Sequence, residues 1–383
     1  MPTAGSDRRL ASTLLAAPRT GIALLFVAAG LAYGGWAGSV AGIKAELGLS
    51  DGVLGAALLC VAAGAMVAMP VAGWLGARGG RWLLTASGLG LAATLPLPGL
   101  VTGAAGLAGV LLLGGAAAGS LDVVMNARAS RFEQDTGRAV MSSFHAAFSL
   151  GGLLGAVLTA GCAAAGMGPR GGLLCAAAAV AACAVGHVLL DPEPGLSEAR
   201  PARGGVRPGK LLFGIGLLCL LAFLTEGAVA DWSGVFLRDV AGFTPGLAAS
   251  GYAAFSAAMI TARLLGDGWV RRWGSRAVLQ GGAAIAAAGV ALAMALPVAS
   301  AAGFGLVGLG GANVAPVLFS AAGRAGPAAS TGIAAVATLG YAGMLVGPPL
   351  IGGVAEWIGL RIALGVLLAA MLVIAACSRR FVR

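Results

Sequence analysis

Three acidic residues, Asp122, Glu226 and Asp231, lie inside or at the edge of long apolar runs of this 383-residue chain. An ionisable group in hydrocarbon costs roughly 2.5–3.5 kcal/mol on insertion scales, so each needs a partner or a task. Glu226 is near the middle of its run, flanked by Phe223, Leu224 and Gly227. Hydrocarbon disfavours the charged form of a carboxyl group, which suits Glu226 to picking up and releasing a proton. The alternative is a packing carboxylate bonded to a neighbouring Ser or Thr.

Asp231 follows five residues on, about 140° around a helix, and points to a different neighbour. With Trp232 and Ser233 it forms a polar patch that either contacts a substrate or pairs with a basic residue such as Arg238 at a gate. Asp122 and Asn126, four apart, share one helix face. His145 enters the next run at similar depth, with Ser142 and Ser149 on its own face, and an Asp–His pair could pass a proton near neutral pH. Arg263 and Asp267, also four apart, are expected to form an ion pair along their helix. Tyr33 and Trp36, three apart, together with Tyr252, Tyr341 and Asn313, are candidates to line a cavity for a small polar organic molecule; packing or interfacial anchoring is the competing role for each.

These residues need elements long enough to cross a bilayer. About 20 apolar residues make one crossing, and the chain supplies such runs twelve times, among them 20–43, 103–126, 139–161, 211–237, 245–268, 300–322 and 328–354. The composition agrees, at 59% hydrophobic and 10% charged. Of the basic residues between the runs, 19 fall in alternate gaps (Arg8, Arg78, Arg128, Arg200, Arg271 and their neighbours among them) and only Lys44, Arg170, Arg238 and Arg361 in the others. Lys and Arg in short loops stay cytoplasmic, which places both termini inside and makes the number of crossings even. The net charge of +10 is therefore a topological signal with anionic lipid headgroups as its neighbours, and not a nucleic-acid footprint. All six cysteines lie within apolar runs and read as small packing residues. The 66 glycines supply seams for close helix approach, as in Gly151-Gly152…Gly155 and Gly347…Gly352-Gly353.

One long polar break, 191–209, divides the chain into six helices (1–190) and six more (210–383). The loop Gly73-Trp-Leu-Gly-Ala-Arg78-Gly-Gly80-Arg81 after the second run has a counterpart after the eighth, Asp267-Gly-Trp-Val-Arg-Arg272-Trp-Gly274-Ser-Arg276. Two parallel six-helix repeats are the footprint of a secondary transporter with its substrate at the midplane. The two loops resemble the Gly-x-x-x-Asp-Arg-x-Gly-Arg signature of the major facilitator superfamily, with Ala77 and Arg271 where that family has Asp. Asp122-Val-Val-Met-Asn126-Ala, Met141-Ser-Ser-Phe-His145-Ala-Ala-Phe-Ser149-Leu-Gly-Gly and Glu226-Gly-Ala-Val-Ala-Asp231-Trp232-Ser233 resemble its bacterial inner-membrane YbjJ-like branch, which has relatives among sugar–proton symporters. The resemblance implies an all-α, twelve-helix fold and alternating access driven by an ion gradient. It also implies a gate in which Asp122 meets loop arginines such as Arg78 or Arg81, with Arg272 and Arg276 at the matching loop of the second half.

No Lys or Arg is expected near the middle of a run, which favours a neutral or cationic solute over an anion. No Walker-type Gly-x-x-x-x-Gly-Lys-Ser/Thr motif is present, and His145 and His187, in different runs, suggest no metal set. The expected protein is a monomer with no cofactor and no enzymatic activity, whose partners are a small solute, protons and lipid. Drug or metabolite efflux by antiport, or membrane sensing on the same fold, are the alternatives.

Overall fold

The structure, a computed structural model, describes residues 4–76, 81–136, 140–191, 209–325 and 329–381. Helix dominates because a bilayer offers no hydrogen-bond partners, so each backbone N–H and C=O must be satisfied within its own segment. The first six helices are α1 (Ala4–Glu46), α2 (Asp51–Gly76), α3 (Arg81–Thr94), α4 (Ala104–Thr136), α5 (Met141–Ala164) and α6 (Gly168–Leu190). After α7 (Lys210–Asp239), the element Ser250–Ala295 is two helices across a kink, residues 250–273 (α8) and 275–295 (α9). The kink is at Gly274, whose φ of 81° lies in the left-handed region that favours glycine. α10 runs Ser300–Gly311 and resumes as Val314–Ala325, α11 is Ala329–Ile358, and α12 joins Leu360–Ala363 to Gly365–Phe381.

Eleven of the described helices are long and apolar enough to cross a membrane, α9 among them as Gly268–Ala295. α8, which carries Arg263, is the one that does not qualify. Its helix also runs past residue 268, where the sequence suggests an end, as far as the Gly274 kink, so the first half of the second signature loop is helical. Large apolar side chains such as Met66, Val67, Leu189 and Trp357 remain exposed and form the surface offered to lipid.

The two halves repeat one packing scheme. α1 packs on α5 and α2 on α4, while in the second half α7 packs on α11 and α10 on the α8–α9 pair. Between the halves, α1 meets α7, α2 meets α11 and α5 meets α8. We call the end where α6 stops and α7 starts the linker end, and the opposite one the far end.

Close approach explains part of the glycine count. A Cβ on Gly30 of α1 would overlap the Phe148 carbonyl of α5, and one on Gly343 of α11 would overlap the Leu220 carbonyl of α7. Gly151 and Gly155 lie against the α1 backbone in the same seam. Gly352 instead packs between the halves, against Asp51, Gly55 and Trp232, whereas Gly353 faces open space and belongs to no seam. Overpacking costs about 1–3 kcal/mol, so Gly30→Leu and Gly343→Leu should each lower the melting midpoint of the detergent-purified protein. Gly353→Leu should leave it nearly unchanged. Size-exclusion profiles after stepwise heating would rank the three variants, and equal losses in all of them would refute the seam.

Candidate functional site

Near the middle of α7, Glu226 meets a cation. Arg263 of α8 places its Nη2 3.8 Å from Glu226 Oε1, and its Nη1 donates to Ser149 Oγ of α5 at 2.8 Å. The guanidinium thus binds a carboxylate of its own half and a hydroxyl of the other. This corrects one expectation: the central layer does contain a basic residue, Arg263, turned to Glu226 and Ser149. The side chain of Asp267, the partner expected along its helix, lies outside the described residues. The signal was present: of 24 Lys and Arg, Arg263 is the one outside the alternating gaps.

A small recess adjoins the pair, lined by Phe223, Glu226, Phe255, Met259, Arg263 and Met371, among others. Its walls come from α7, α8, α10 and α12, all in the second half. Arg263 links it to the other half through Ser149.

Asp231 has a different partner. Trp36 of α1 donates its indole N–H to Asp231 Oδ1 at 2.8 Å, from one half to the other. The angular offset between Glu226 and Asp231 is realised as two neighbours, α8 for the first and α1 for the second. Tyr33 stands edge-on to Tyr252 at 5.7 Å and tilted against Phe148 at 6.0 Å, so an aromatic cluster spans both halves beside the two carboxylates. Arg238 does not pair with Asp231; its Nη1 donates to the Ala41 carbonyl. Trp232 is fully buried and donates to the Pro348 carbonyl of α11 at 3.2 Å, and Ser233 is buried too.

Toward the linker end, Asn126 Nδ2 donates to the Asp122 carbonyl at 2.8 Å and to its Oδ1 at 3.1 Å, as their shared face requires. Arg78 lies outside the described residues, as do the side chains of Arg81 and Ser142. No described contact joins Asp122 to His145, whose ring packs edge-on against Phe26 at 5.5 Å. Asn313 falls in the two-residue break of α10, buried, with Nδ2 donating to the Ala262 carbonyl at 3.0 Å, so it ties α10 to α8 next to Arg263. Tyr341 is 44% exposed and packs against Phe223. Arg272 and Arg276 are exposed, the former stacked over Trp273.

Two further clusters have no counterpart in the sequence reading. Arg128 of α4 grips Asp191, just past α6, by two bonds of 2.8 and 2.7 Å, both side chains buried. Such a bidentate pair satisfies both groups at once. At the far end, Lys44 of α1 bridges Asp51 of α2 (2.7 Å) and Asp239 of α7, and Glu356 of α11 accepts from the Gly52 N–H at 2.7 Å. Together with Arg238 and Ala41, these bonds close the far end between halves. The molecule is therefore closed at the far end.

The Major Facilitator Superfamily profile matches residues 22–348. The chain belongs to that superfamily. It is 39% identical over 366 residues to an uncharacterized MFS-type transporter of Yersinia pestis, covering 94% of each chain. It is also 35% identical over 370 residues to the membrane protein MosC of Rhizobium meliloti, covering 95% of this chain and 90% of that one. Among solved structures, a variant of the nucleoside transporter NupG superposes with a TM-score of 0.79 at 14% identity, over 96% of this chain and all of the other. A bacterial homologue of the human lysosomal transporter Spinster, inward-facing and occupied, gives 0.74 at 14% identity over 97% of both chains. Identities this low establish a shared fold.

For this Major Facilitator Superfamily transporter, Lys44→Ala should loosen the far end, because it leaves Asp51 and Asp239 as neighbouring like charges. Partly exposed ion pairs contribute about 0.2–1 kcal/mol each, enough to shift a conformational population severalfold. Spin labels on the exposed Ala45 and Leu247 should show a larger long-distance fraction in that variant than in Arg272→Ala, and identical distance distributions would refute the latch.

Proposed function

We propose that this chain is a proton-coupled secondary transporter that moves a small polar organic solute by alternating access, with the linker end facing the cytoplasm of a bacterial inner membrane. One observation carries this reading: the Arg263 guanidinium is shared between Glu226 of its own half and Ser149 of the other. A proton delivered to Glu226 removes the charge that balances Arg263. The guanidinium must then find its counter-charge elsewhere, and its bond across the interface is strained or broken. Protonation state and the relation of the halves are thereby linked through one side chain, with solute held beside it near the midplane. The first half is taken as residues 1–190, the cytoplasmic connection as 191–209 and the second half as 210–383. Orientation rests on the crowding of basic residues at the linker end.

Coupling is tested with Glu226→Gln, which imitates the permanently protonated acid. With a solute identified by thermal-shift screening of sugars, amino acids, nucleosides and cationic drugs, the variant should lose at least about 90% of pH-gradient-driven accumulation in proteoliposomes yet retain counterflow, which needs no net proton movement. Accumulation at the wild-type level would remove Glu226 as the proton carrier.

Orientation is tested by single cysteines at Ala4, Ser197 and Val382 in a background without native cysteines. They should resist a membrane-impermeant thiol reagent in intact cells and react after lysis; labelling before lysis would invert the topology.

A further inference from the structure

The central layer carries two carboxylates, Glu226 and Asp231, and one guanidinium, Arg263, which belongs to Glu226. The hydrogen bond that Asp231 receives among the described residues is a neutral N–H, from Trp36. Among the described residues no Lys or Arg forms an ion pair with it: Arg238 is turned to the Ala41 carbonyl, and Lys44 is engaged by Asp51 and Asp239. A carboxylate at this depth calls for a cation.

Its surroundings suit an organic one. Tyr33, Tyr252 and Trp36 cluster at the same place, with Phe148 behind Tyr33. The negative faces of aromatic rings attract ammonium groups, and a carboxylate beside them adds a point counter-charge. The Trp36 bond also comes from the opposite half, between α1 and α7, the helices that Lys44, Asp239, Arg238 and Ala41 tie together at the far end. Opening that end parts α1 from α7 and takes the indole away from Asp231.

We infer that Asp231 and the Tyr33–Trp36–Tyr252 cluster form the recognition site for a small organic ammonium, with the Trp36 indole replacing the ammonium on Asp231 when the far end closes. This rests on the transport reading above and narrows its solute to one bearing a cationic nitrogen. The exchange of partners would release the solute toward the linker end without leaving Asp231 bare.

The test uses the full-length, detergent-purified protein at fixed pH, with phenethylamine and its neutral counterpart 2-phenylethanol as probes and melting temperature as the readout. Wild type should bind the amine at least about tenfold more tightly than the alcohol, as a ligand selective for the folded state raises its melting point. Asp231→Asn should abolish that preference and Asp231→Glu should retain it. Trp36→Phe, which removes the competing N–H but keeps an aromatic ring, should tighten amine binding severalfold, an effect that a merely structural Trp36 would not produce; it also serves if Asp231→Asn does not fold. Equal binding of amine and alcohol, unchanged amine binding in Asp231→Asn, weaker binding in Trp36→Phe, or Asp231-dependent stabilisation by sodium chloride alone would each overturn the inference. Amine binding that depends on Asp231, without counterflow of labelled phenethylamine in proteoliposomes, would uphold the site and refute transport. Counterflow of neutral solutes by a protein that ignores the amine would do the reverse.

Discussion

A guanidinium in the middle of an apolar bundle must be neutralised, and the way Arg263 meets that demand fixes much of the rest. Its side chain is only partly exposed, so a carboxylate from a neighbouring helix is needed to balance it. Glu226 supplies one from α7, and Nη1 donates to Ser149 across the interface. Asn313 supports the arrangement from a third helix by holding the Ala262 carbonyl next in sequence, and Gly266 allows it, since a Cβ there would overlap the Asn313 amide. The break in α10 places that amide where a regular helix would have continued.

Two kinds of contact therefore serve different ends. Within each half, helices meet through glycine against backbone, as at Gly30 and Gly343, contacts that are short and uncharged. Between halves, close glycine approach also occurs, as at Gly352, but is joined by polar, reversible bonds: Trp36 to Asp231, Lys44 to Asp239, Gly52 to Glu356. Rigid bodies joined by exchangeable bonds are what rocking of one half against the other requires. The buried Arg128–Asp191 pair belongs to the first kind despite its charge, because both groups lie in one half and each fully occupies the other. It ties the end of α6 to α4 where the chain leaves the first half.

Much of the candidate site could be read from residue type and depth. Glu226, Asp231, Tyr33, Trp36 and Tyr252 stand out because each is a polar or aromatic group in an apolar run, and all five come together around the interface. Asn313, Trp232 and Asp122 stand out for the same reason, yet Asn313 and Trp232 are spent on neighbouring backbone carbonyls, and the described partner of Asp122 is Asn126 on its own helix. Spacing along one helix gives the angle between two side chains but not the helix that each will face. Arg263 illustrates the same limit: Glu226, 37 positions earlier, meets it in space, a pairing that spacing along one helix does not give.

By itself, the sequence determined the class of fold, the division into two six-helix halves and the alternation of basic loops, because run length, hydropathy and loop charge act locally and need no knowledge of neighbours. The tertiary structure decided which charge balances which, that the far end is closed, and that one recess lies inside the second half, because these depend on how each helix is rotated and set against the others. That rotation is chosen by packing across the bundle, where Gly152 of α5 lies against the Tyr252 hydroxyl of α8 and Gly352 of α11 against Asp51 of α2, contacts between residues remote in the chain.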